Sequence, residues 1–322
     1  MSSQGSPASH PSVSVVIPTY NCAHLLPRAI ESAYAQTFAP CEVVVVNDGC
    51  TDHTDEVIQQ LIPTLPSSFV YDKKANGGEA SARNRGVALA KGEFVAFLDQ
   101  DDAWLHDKLE RQMAMFNADV ALALSFTAYT RISDSGKDLV CLPEWNPEPD
   151  EALKKLLMRC WITPSTVVVR SDVLRKVGPF DESLWLGNDW DMWLRIAAAG
   201  HRTAYLPVPL TDYYWHGTNM SQDLRLVGQA ANVIFPRLFK AKVLPPSIQR
   251  LERKCCAGHS IFEACCHMDI GDMRATRRCI LRAVKMSPAS VRPGWLLMFL
   301  RSLIPSQRLR PTGVAKEMMD AE

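Results

Sequence analysis

Three short apolar runs in the first hundred residues each end in a polar turn, and this pattern constrains the fold more than any other feature. The runs occupy residues 13–17, 43–46 and 94–98. Helical stretches at 25–36 and 54–61 follow the first two runs. Short buried strands that alternate with helices are typical of βαβ units. The sequence therefore predicts an α/β fold, a mostly parallel sheet flanked by helices, with a ligand site at the carboxyl ends of the strands.

Three carboxylates follow the third run directly, at Asp99, Asp101 and Asp102. Carboxylates this close together repel one another unless a cation lies between them. Oxygen ligands suit hard ions, and Mg²⁺ or Mn²⁺ commonly binds one or two carboxylates together with substrate phosphates. The motif thus indicates a metal site that holds a diphosphate. A polar turn whose acids cap the next helix is the alternative.

The turns after the other runs also carry chemically useful groups. The first run leads into Pro18-Thr19-Tyr20-Asn21, and the second ends at Asn47-Asp48-Gly49. A glycine-rich stretch, 76–79, then opens a helix that carries Arg83 and Arg85. A guanidinium is a planar donor that suits a phosphate or a base carbonyl.

Together these motifs resemble the family 2 glycosyltransferases, which have the GT-A fold and use nucleotide-diphosphate sugars. The matching elements, in family order, are Pro18–Asn21, Asn47-Asp48-Gly49, residues 82–86, Asp99–Asp102 with Trp104, residues 188–195, and the closing His-x-x-Asn-x-Ser pattern at 216–221. They extend from about residue 13 to residue 221, roughly two-thirds of the chain.

The resemblance implies a role for each matching residue. Pro18, Thr19, Tyr20, Asn21, Asp48, Arg83 and Asp99 would form the nucleotide site, with Tyr20 against the base and Asp48 accepting from a base N–H. Asp99 and Asp101 match the metal motif, with Asp101 as the more direct ligand, and His216 is a further candidate ligand. A packed histidine beside its aromatic neighbours is the alternative for His216.

Asp189 matches the aspartate that serves the family as general base. A single base with no enzymic nucleophile opposite it implies one in-line displacement and inversion at the anomeric carbon. The alternative is an ordinary acidic residue at the start of an amphipathic helix. Two departures from the family pattern are Asn188, where Glu is usual, and Cys50, where Ser is common.

The sequence predicts three regions, namely a disordered leader at 1–12, a catalytic domain at 13–224, and a basic helical C-terminal extension at 225–322. Sixteen of the 35 Lys and Arg residues lie beyond Leu226, against seven acidic residues. The extension also contains Trp295–Leu300 between Arg292 and Arg301, a run too short to span a bilayer but suited to an anionic interface. A tail helix that packs on the catalytic domain is the alternative. No nucleic-acid-binding module is recognised.

Irregular cysteine spacing and the absence of an opening apolar signal favour a reducing cytosol, so we expect a cytoplasmic protein with a possible peripheral site at the inner face of the cell membrane. Packed thiols are expected at 255–256 and 265–266, with a zinc site as the alternative. Trp161, Trp185 and Trp190 are candidates for sugar stacking, unless they pack in the core.

The resemblance as a whole implies an inverting, Mg²⁺- or Mn²⁺-dependent hexosyltransferase in polysaccharide biosynthesis, with a glycan, lipid-linked or protein acceptor. A UDP-sugar is the first donor class, and dTDP- and GDP-sugars stay open. Two other classes stay open: a sugar-nucleotide nucleotidyltransferase and a non-catalytic carbohydrate-binding module. The first would need a glycine-rich loop after its first strand, where this chain has Pro18–Asn21. The second would be expected to lose the acidic residues that this chain keeps.

Overall fold

The computed structural model describes residues 12–141, 144–216, 224–241 and 244–290. The described residues divide into two compact units. The first contains the residues up to Ala152 together with Trp161–Glu182 and Gly200–His216. The second contains Leu153–Cys160, Ser183–Ala199 and the residues from 224 onward. Two segments that the sequence assigned to the catalytic domain, 153–160 and 183–199, therefore group with the C-terminal helices.

One sheet organises the first unit. Its strands, within the described ranges, are β1 (Val13–Thr19), β2 (Glu42–Asn47), β3 (Phe69–Lys73), β4 (Phe94–Phe97), β5 (Ala103–Trp104), β6 (Leu122–Ser133), β7 (Gly136–Val140), β8 (Val168–Arg170) and β9 (Arg202–Tyr214). Their order is β3-β2-β1-β4-β8-β6-β9-β5, and β7 pairs with the far part of β6.

Helices connect and follow these strands. They are α1 (Leu26–Tyr34), α2 (Thr54–Leu61), α3 (Glu79–Leu89), α4 (Lys108–Ala118), α5 (Pro149–Met158), α6 (Ser171–Val177), α7 (Asn188–Ala198), α8 (Leu224–Lys240), α9 (Pro246–Gln249), α10 (Glu252–Asp269) and α11 (Met273–Met286).

The first four strands in sheet order are parallel, which confirms the predicted βαβ arrangement. Beyond β4 the sheet changes character, because β8 pairs antiparallel with both β4 and β6. Only β6 and β9 are parallel in that half. The sheet is therefore mixed, and its first half is the parallel, helix-flanked sheet that the sequence predicts.

Helices cover both faces of the parallel half. Residues Val13, Val15 and Ile17 of β1 pack with the buried side of α1, in the core cluster that also contains Phe116 of α4. On the other face, Val44 and Val46 of β2 pack against Ala82 of α3. A strand buried on both faces needs apolar residues at consecutive positions, which is why these strands are apolar runs without alternation.

Gly86 allows α3 to lie directly against β1. A Cβ atom built at this position would lie 2.3 Å from Cγ1 of Val16, a separation that no side chain tolerates. The absence of a side chain thus fixes the distance between helix and strand. This close approach sets the position of Arg83, one turn earlier on the same helix.

The second unit is helical in its described part. Helices α10 and α11 pack through Ala257, Ile261, Ala264, Cys265 and Ile280, with Cys266 and Cys279 in the same cluster. The thiols at 265 and 266 are therefore packed, as expected, and all ten cysteines are free. Among the described helices, none is both long and apolar enough to cross a bilayer. The predicted leader, up to residue 11, and the segment Trp295–Leu300 lie outside the described residues.

Candidate functional site

The turn after β1 is tied to the acidic motif after β4 by one side chain. The Gln100 Oε1 atom accepts hydrogen bonds from the Thr19 hydroxyl at 2.6 Å and from the Tyr20 backbone N–H at 2.8 Å. Pro18 and Thr19 are buried, whereas Tyr20 is 47% exposed. Tyr20 and the following Asn21 are thus the exposed residues of this turn, and Tyr20 is the aromatic one.

Asn21 adopts the left-handed backbone conformation, with φ of 49°, which asparagine tolerates better than most residues. Its side-chain oxygen accepts from the Thr51 backbone N–H at 2.7 Å, and its own N–H points at Cys50 Sγ, 3.2 Å away. Asn21 therefore joins the turns that follow β1 and β2. Cys50, the departure from the family pattern, takes part in this junction through its sulfur.

Asp48 is buried at the end of β2 and accepts three hydrogen bonds from its own chain. Lys74 Nζ lies 2.6 Å from Oδ1, and the backbone N–H groups of Gly77 and Gly78 donate at 3.0 and 2.8 Å. The neighbouring Gly49 has φ of 75°, and a Cβ there would lie 2.7 Å from the Asn76 backbone nitrogen. The carboxylate and the glycine thus hold the glycine-rich stretch against β2.

Arg83 is buried on α3 and bridges two carboxylates. Its Nη2 atom lies 2.7 Å from Glu79 Oε1 and 2.8 Å from Asp99 Oδ1. A buried guanidinium needs such partners, because an unpaired charge in the interior is costly. The structure therefore brings together two predicted site residues, Arg83 and Asp99, as an ion pair.

Asp101 lies between His216 and the start of the chain's first helix. The His216 Nε2 atom is 2.9 Å from Asp101 Oδ2, so two of the three predicted metal ligands are adjacent. Arg28 of α1 donates to the Asp101 backbone carbonyl at 2.5 Å, and its guanidinium lies 3.4 Å from the centre of the Tyr214 ring. The motif after β4 is thus held from the side of α1 and from the end of β9.

Asp102 is fully buried and was not among the predicted site residues. Its carboxylate accepts from the Ser165 hydroxyl at 2.5 Å and from the Tyr214 backbone N–H at 3.1 Å. Burial, together with the charges of Asp101 and Asp99, raises the pKa of Asp102 well above its ordinary value. The role of this residue is to fasten the acidic turn to β9 and to the loop before β8.

The donor set suits a hard divalent cation. Burial, and after it the negative charge of Asp99, raises the pKa of Asp101. Asp99, Asp101 and His216 remain partly accessible, with side chains 21%, 18% and 35% exposed. Asp101 and His216 are in contact at this edge of the sheet, whereas Asp99 pairs with Arg83, and within the described residues the three groups do not meet at a common ligand distance. Carboxylate and imidazole donors of this kind suit Mg²⁺ or Mn²⁺.

Asp189 belongs to the second unit, in the first turn of α7. It is partly exposed, and its Oδ2 atom lies 4.0 Å from Cys160 Sγ. A helix N-terminus stabilises a carboxylate in its ionised form. Asp191, two residues on, pairs with Arg195 at 2.8 Å and lies on another side of the helix.

The three tryptophans proposed for sugar stacking differ in exposure. Trp190 is buried and its indole N–H donates to the Leu156 carbonyl at 2.7 Å, so it is a core residue. Trp161 is partly buried, and Trp185 is 70% exposed. Of the three, Trp185 offers the largest free ring surface.

Potential metal ligands also meet in the second unit, at Glu263, His267 and Cys279. Glu263 already forms an ion pair with Arg282 and accepts from Asn232 at 2.6 Å. Burial and the Glu263 charge raise the pKa of the Cys279 thiol to about 12. The Arg282 guanidinium already supplies the positive charge that pairs with Glu263, so this cluster is a polar network and not a metal site.

Sequence patterns did not reveal several residues that shape the site. Lys74, Arg28 and Ser165 carry no motif of their own, and their partners are 26, 73 and 63 residues away. Gln100 and Asp102 lie within the acidic motif, so the motif was the available signal for them.

Comparisons with known proteins bear on the family and the fold of the chain. The model of the family described as glycosyl transferase family 2 matches residues 14–172. An uncharacterized glycosyltransferase from Rickettsia prowazekii is 33% identical over 192 residues, which are 58% of this chain and 58% of the relative. The chain therefore spans less than two-thirds of the length of that relative.

Two solved structures show the same fold. Residues 1–349 of Staphylococcus aureus TarS, in complex with UDP-GlcNAc, superpose with a TM-score of 0.68 at 18% identity, over 97% of this chain and 92% of that one. The mannosyltransferase PcManGT from Pyrobaculum calidifontis, in complex with GDP-Man and Mn²⁺, gives 0.60 at 19% identity, over 92% and 81%. With a GT-A fold and the family's motifs at the strand ends, the chain carries a glycosyl transferase family 2 domain over residues 14–172.

Proposed function

We propose that this protein transfers a sugar from a nucleotide-diphosphate sugar to an acceptor hydroxyl, with inversion at the anomeric carbon. The observation that carries the proposal is a pair of contacts in the acidic motif after β4, between Asp101 and His216 and between Asp99 and the buried Arg83. Open α/β sheets bind ligands at this edge. The family match supports the same class of reaction.

The nucleotide is proposed to lie over the turns after β1 and β2. Tyr20 offers an exposed ring for a base, while Pro18, Thr19 and Asn21 give the first turn its shape. Asp48 and Arg83 both bind other residues of the protein. Asp48 holds the glycine-rich stretch in place, and Arg83 holds Asp99 in place. A base contact at Asp48 would use a lone pair that these bonds leave available.

Asp99, Asp101 and His216 would hold a divalent cation, Mg²⁺ or Mn²⁺. When bound, such an ion neutralises negative charge on a leaving diphosphate. A mannosyltransferase of the same fold is described with Mn²⁺, which supports this assignment. Asp101 is the ligand that His216 contacts directly, and Arg83 sets the orientation of Asp99.

Asp189 is proposed as the general base. It would accept the proton of the acceptor hydroxyl as that oxygen forms its bond to the anomeric carbon and the bond from that carbon to the diphosphate oxygen breaks. Its place in the first turn of α7 favours the ionised carboxylate that this step needs. The acceptor class proposed is a glycan, a lipid-linked molecule or a protein in polysaccharide biosynthesis. The proposed location is the cytoplasm, with a peripheral membrane contact through the C-terminal extension.

A UDP-sugar is proposed as donor, and a GDP-sugar is the second candidate. Solved structures of this fold are described with UDP-GlcNAc and with GDP-Man, so both nucleotides are compatible with the architecture. Thermal shift and calorimetry with UDP, GDP and dTDP, each with and without Mn²⁺, test the choice. We expect Mn²⁺-dependent binding of UDP above the other two. Binding of none of them would reject the proposed function in favour of a non-catalytic module.

A donor-hydrolysis assay separates transfer from nucleotidyl chemistry. A glycosyltransferase releases the nucleoside diphosphate from the sugar nucleotide, whereas a nucleotidyltransferase would release pyrophosphate from a nucleoside triphosphate and a sugar phosphate. We expect release of UDP and no release of pyrophosphate. The opposite result would assign the chain to the nucleotidyltransferase class.

A further inference from the structure

Helix α11 presents one side to solvent that is almost entirely basic. The helix carries Arg274, Arg277, Arg278, Arg282 and Lys285 and contains no acidic residue. Its buried side, formed by Met273, Ala275, Thr276, Cys279, Ile280 and Ala283, packs in the cluster shared with α10. At 100° per residue the five cations fall on the opposite arc of the helix, where they share one surface.

Part of this charge is not neutralised by the protein. Arg282 is committed to Glu263, as described above. Arg274, Arg278 and Lys285 are exposed, and within the described residues none of the three forms an ion pair. Asp272 lies next to this surface, but its carboxylate caps α11 by accepting from the Ala275 N–H at 2.9 Å. Three exposed cations therefore share a surface of positive potential.

Two apolar side chains lie among the cations. Leu281 is 49% exposed and Val284 is 38% exposed, and both lie on the same arc as the basic residues. Arg278, Leu281, Lys285 and Met286 line a shallow groove along the helix. Exposed aliphatic groups between cations suit contact with an anionic lipid bilayer, whose headgroups are charged and whose interior is apolar. Because α11 exposes no aromatic ring for base stacking, this composition fits nucleic acid less well.

We infer that the exposed face of α11, defined by Arg274, Arg278, Leu281, Val284 and Lys285, is a docking surface for anionic membrane lipid. Basic side chains near an anionic bilayer each contribute measurable affinity, and the aliphatic residues between them add contact with the headgroup region. The inference does not depend on the proposed transfer reaction, and it concerns residues distinct from the Trp295–Leu300 segment.

Vesicle sedimentation with the full chain tests this surface. The variant Arg274→Gln/Arg278→Gln/Lys285→Gln removes three charges from exposed positions, and Lys91→Gln/Arg111→Gln/Lys176→Gln removes three from exposed positions on the first unit as the matched control. Equimolar phosphatidylcholine–phosphatidylserine vesicles at low salt are compared with phosphatidylcholine alone. We expect the α11 variant to partition about a hundredfold more weakly onto the anionic vesicles, and the control variant to match wild type.

A second pair of variants tests the apolar part. Leu281→Ser should weaken partitioning about tenfold through lost apolar burial, whereas Leu139→Ser, at a strand position that is 63% exposed, should leave it unchanged. Circular dichroism and thermal melting confirm that each variant is folded.

Three outcomes overturn the inference. The first is a wild-type protein that does not sediment with anionic vesicles at low salt. The second is an α11 variant that sediments as wild type does, which would leave any membrane contact to other residues. The third is an α11 variant that no longer binds a single-stranded RNA probe but still binds the vesicles as wild type does. That result would assign the exposed face of α11 to nucleic acid.

Discussion

The imidazole of His216 lies 2.9 Å from the Asp101 carboxylate, although 115 positions of the chain separate the two residues. The pairing of β5 with β9, which places Ala103 opposite Asp212, brings them together. The acidic motif leads directly into β5, and His216 follows the end of β9. The short pairing of β5 with β9 thus places His216 beside Asp101, where it is a candidate ligand of the proposed cation.

Replacing Asp101 is expected to abolish the cation dependence of nucleotide binding. In Asp101→Asn the side chain keeps its size but loses the charge that a divalent ion requires. Calorimetry should show UDP binding that no longer responds to Mn²⁺, while Asp138→Asn, an exposed position in β7, behaves as wild type. The same Mn²⁺-dependent affinity in Asp101→Asn and wild type would rule out this ligand.

Replacing Asp189 is expected to affect transfer and not donor binding. Loss of a general base commonly lowers a rate by about 10²- to 10⁴-fold, so Asp189→Asn should show a loss of this size in transfer with an unchanged affinity for the donor. Asp191→Asn, on the same helix but paired with Arg195, is the control and should retain activity. A transfer rate in Asp189→Asn close to that of wild type would place the base elsewhere.

The same substitution at two glycines is expected to have opposite effects on stability. Gly86→Ala would place a Cβ 2.3 Å from Val16 and should cost about 1–3 kcal/mol. In Gly258→Ala the new methyl group meets no atom within 4 Å, so the helix-forming preference of alanine should add about 0.5–1 kcal/mol. Urea unfolding measures both changes.

A compensating variant tests the cause of the first effect. Because the clash involves a γ-carbon of Val16, Val16→Ala combined with Gly86→Ala should lose less than the sum of the two single changes. Additive losses in this cycle would show that α3 shifts away as a whole instead of meeting that side chain.

Stability is expected to fall in mild acid through His259. This residue is buried in α10, its Nε2 lies 2.8 Å from the Leu157 carbonyl, and burial lowers its pKa from 6.5 to about 4. The unfolded chain therefore binds the proton first, so the stabilising contribution is present above pH 6.5 and is lost as the pH falls toward 4. The linked change is about 3 kcal/mol.

The measurement is the free energy of unfolding in urea between pH 7 and pH 4, compared with His259→Gln. The variant cannot take up the proton, so its stability should depend less steeply on pH in this interval. Parallel profiles for the two proteins would show that other groups cause the acid sensitivity.

The strands that are buried on both faces were predictable, because a run of consecutive apolar residues can be recognised in the sequence without knowing which strands pair with it. β1, β2, β4 and the helix α2 lie where the sequence placed them, within two residues at each end. The long strands β6 and β9 were not predicted. Their ladder joins residues about 80 positions apart and contains register shifts, and several of their residues are half-buried, so neither a run nor a strict alternation marks them.

The candidate site divides in a similar way. Asp99 and Asp101 stand out because only Gln100 separates their charges in the chain, so they lie near each other in any fold. Lys74 and Ser165, in contrast, matter because of the residues they contact, at 2.6 and 2.5 Å, and those contacts exist only once the sheet has formed. Local sequence patterns therefore identify the charged residues of the site. The residues that orient those charged side chains are determined by the fold and cannot be read from a local pattern.

The exposure of Tyr20 beside the buried Pro18 and Thr19 bears on attempts to change the donor. An aromatic ring stacks on uracil, thymine or guanine alike, since each base has a π-face. Stacking on Tyr20 would therefore add to the affinity for any nucleotide and would not distinguish one base from another. Discrimination among nucleotides has to come from donors and acceptors in the base plane, so a library that aims to alter donor preference should vary the turns that surround the tyrosine and leave the ring itself in place.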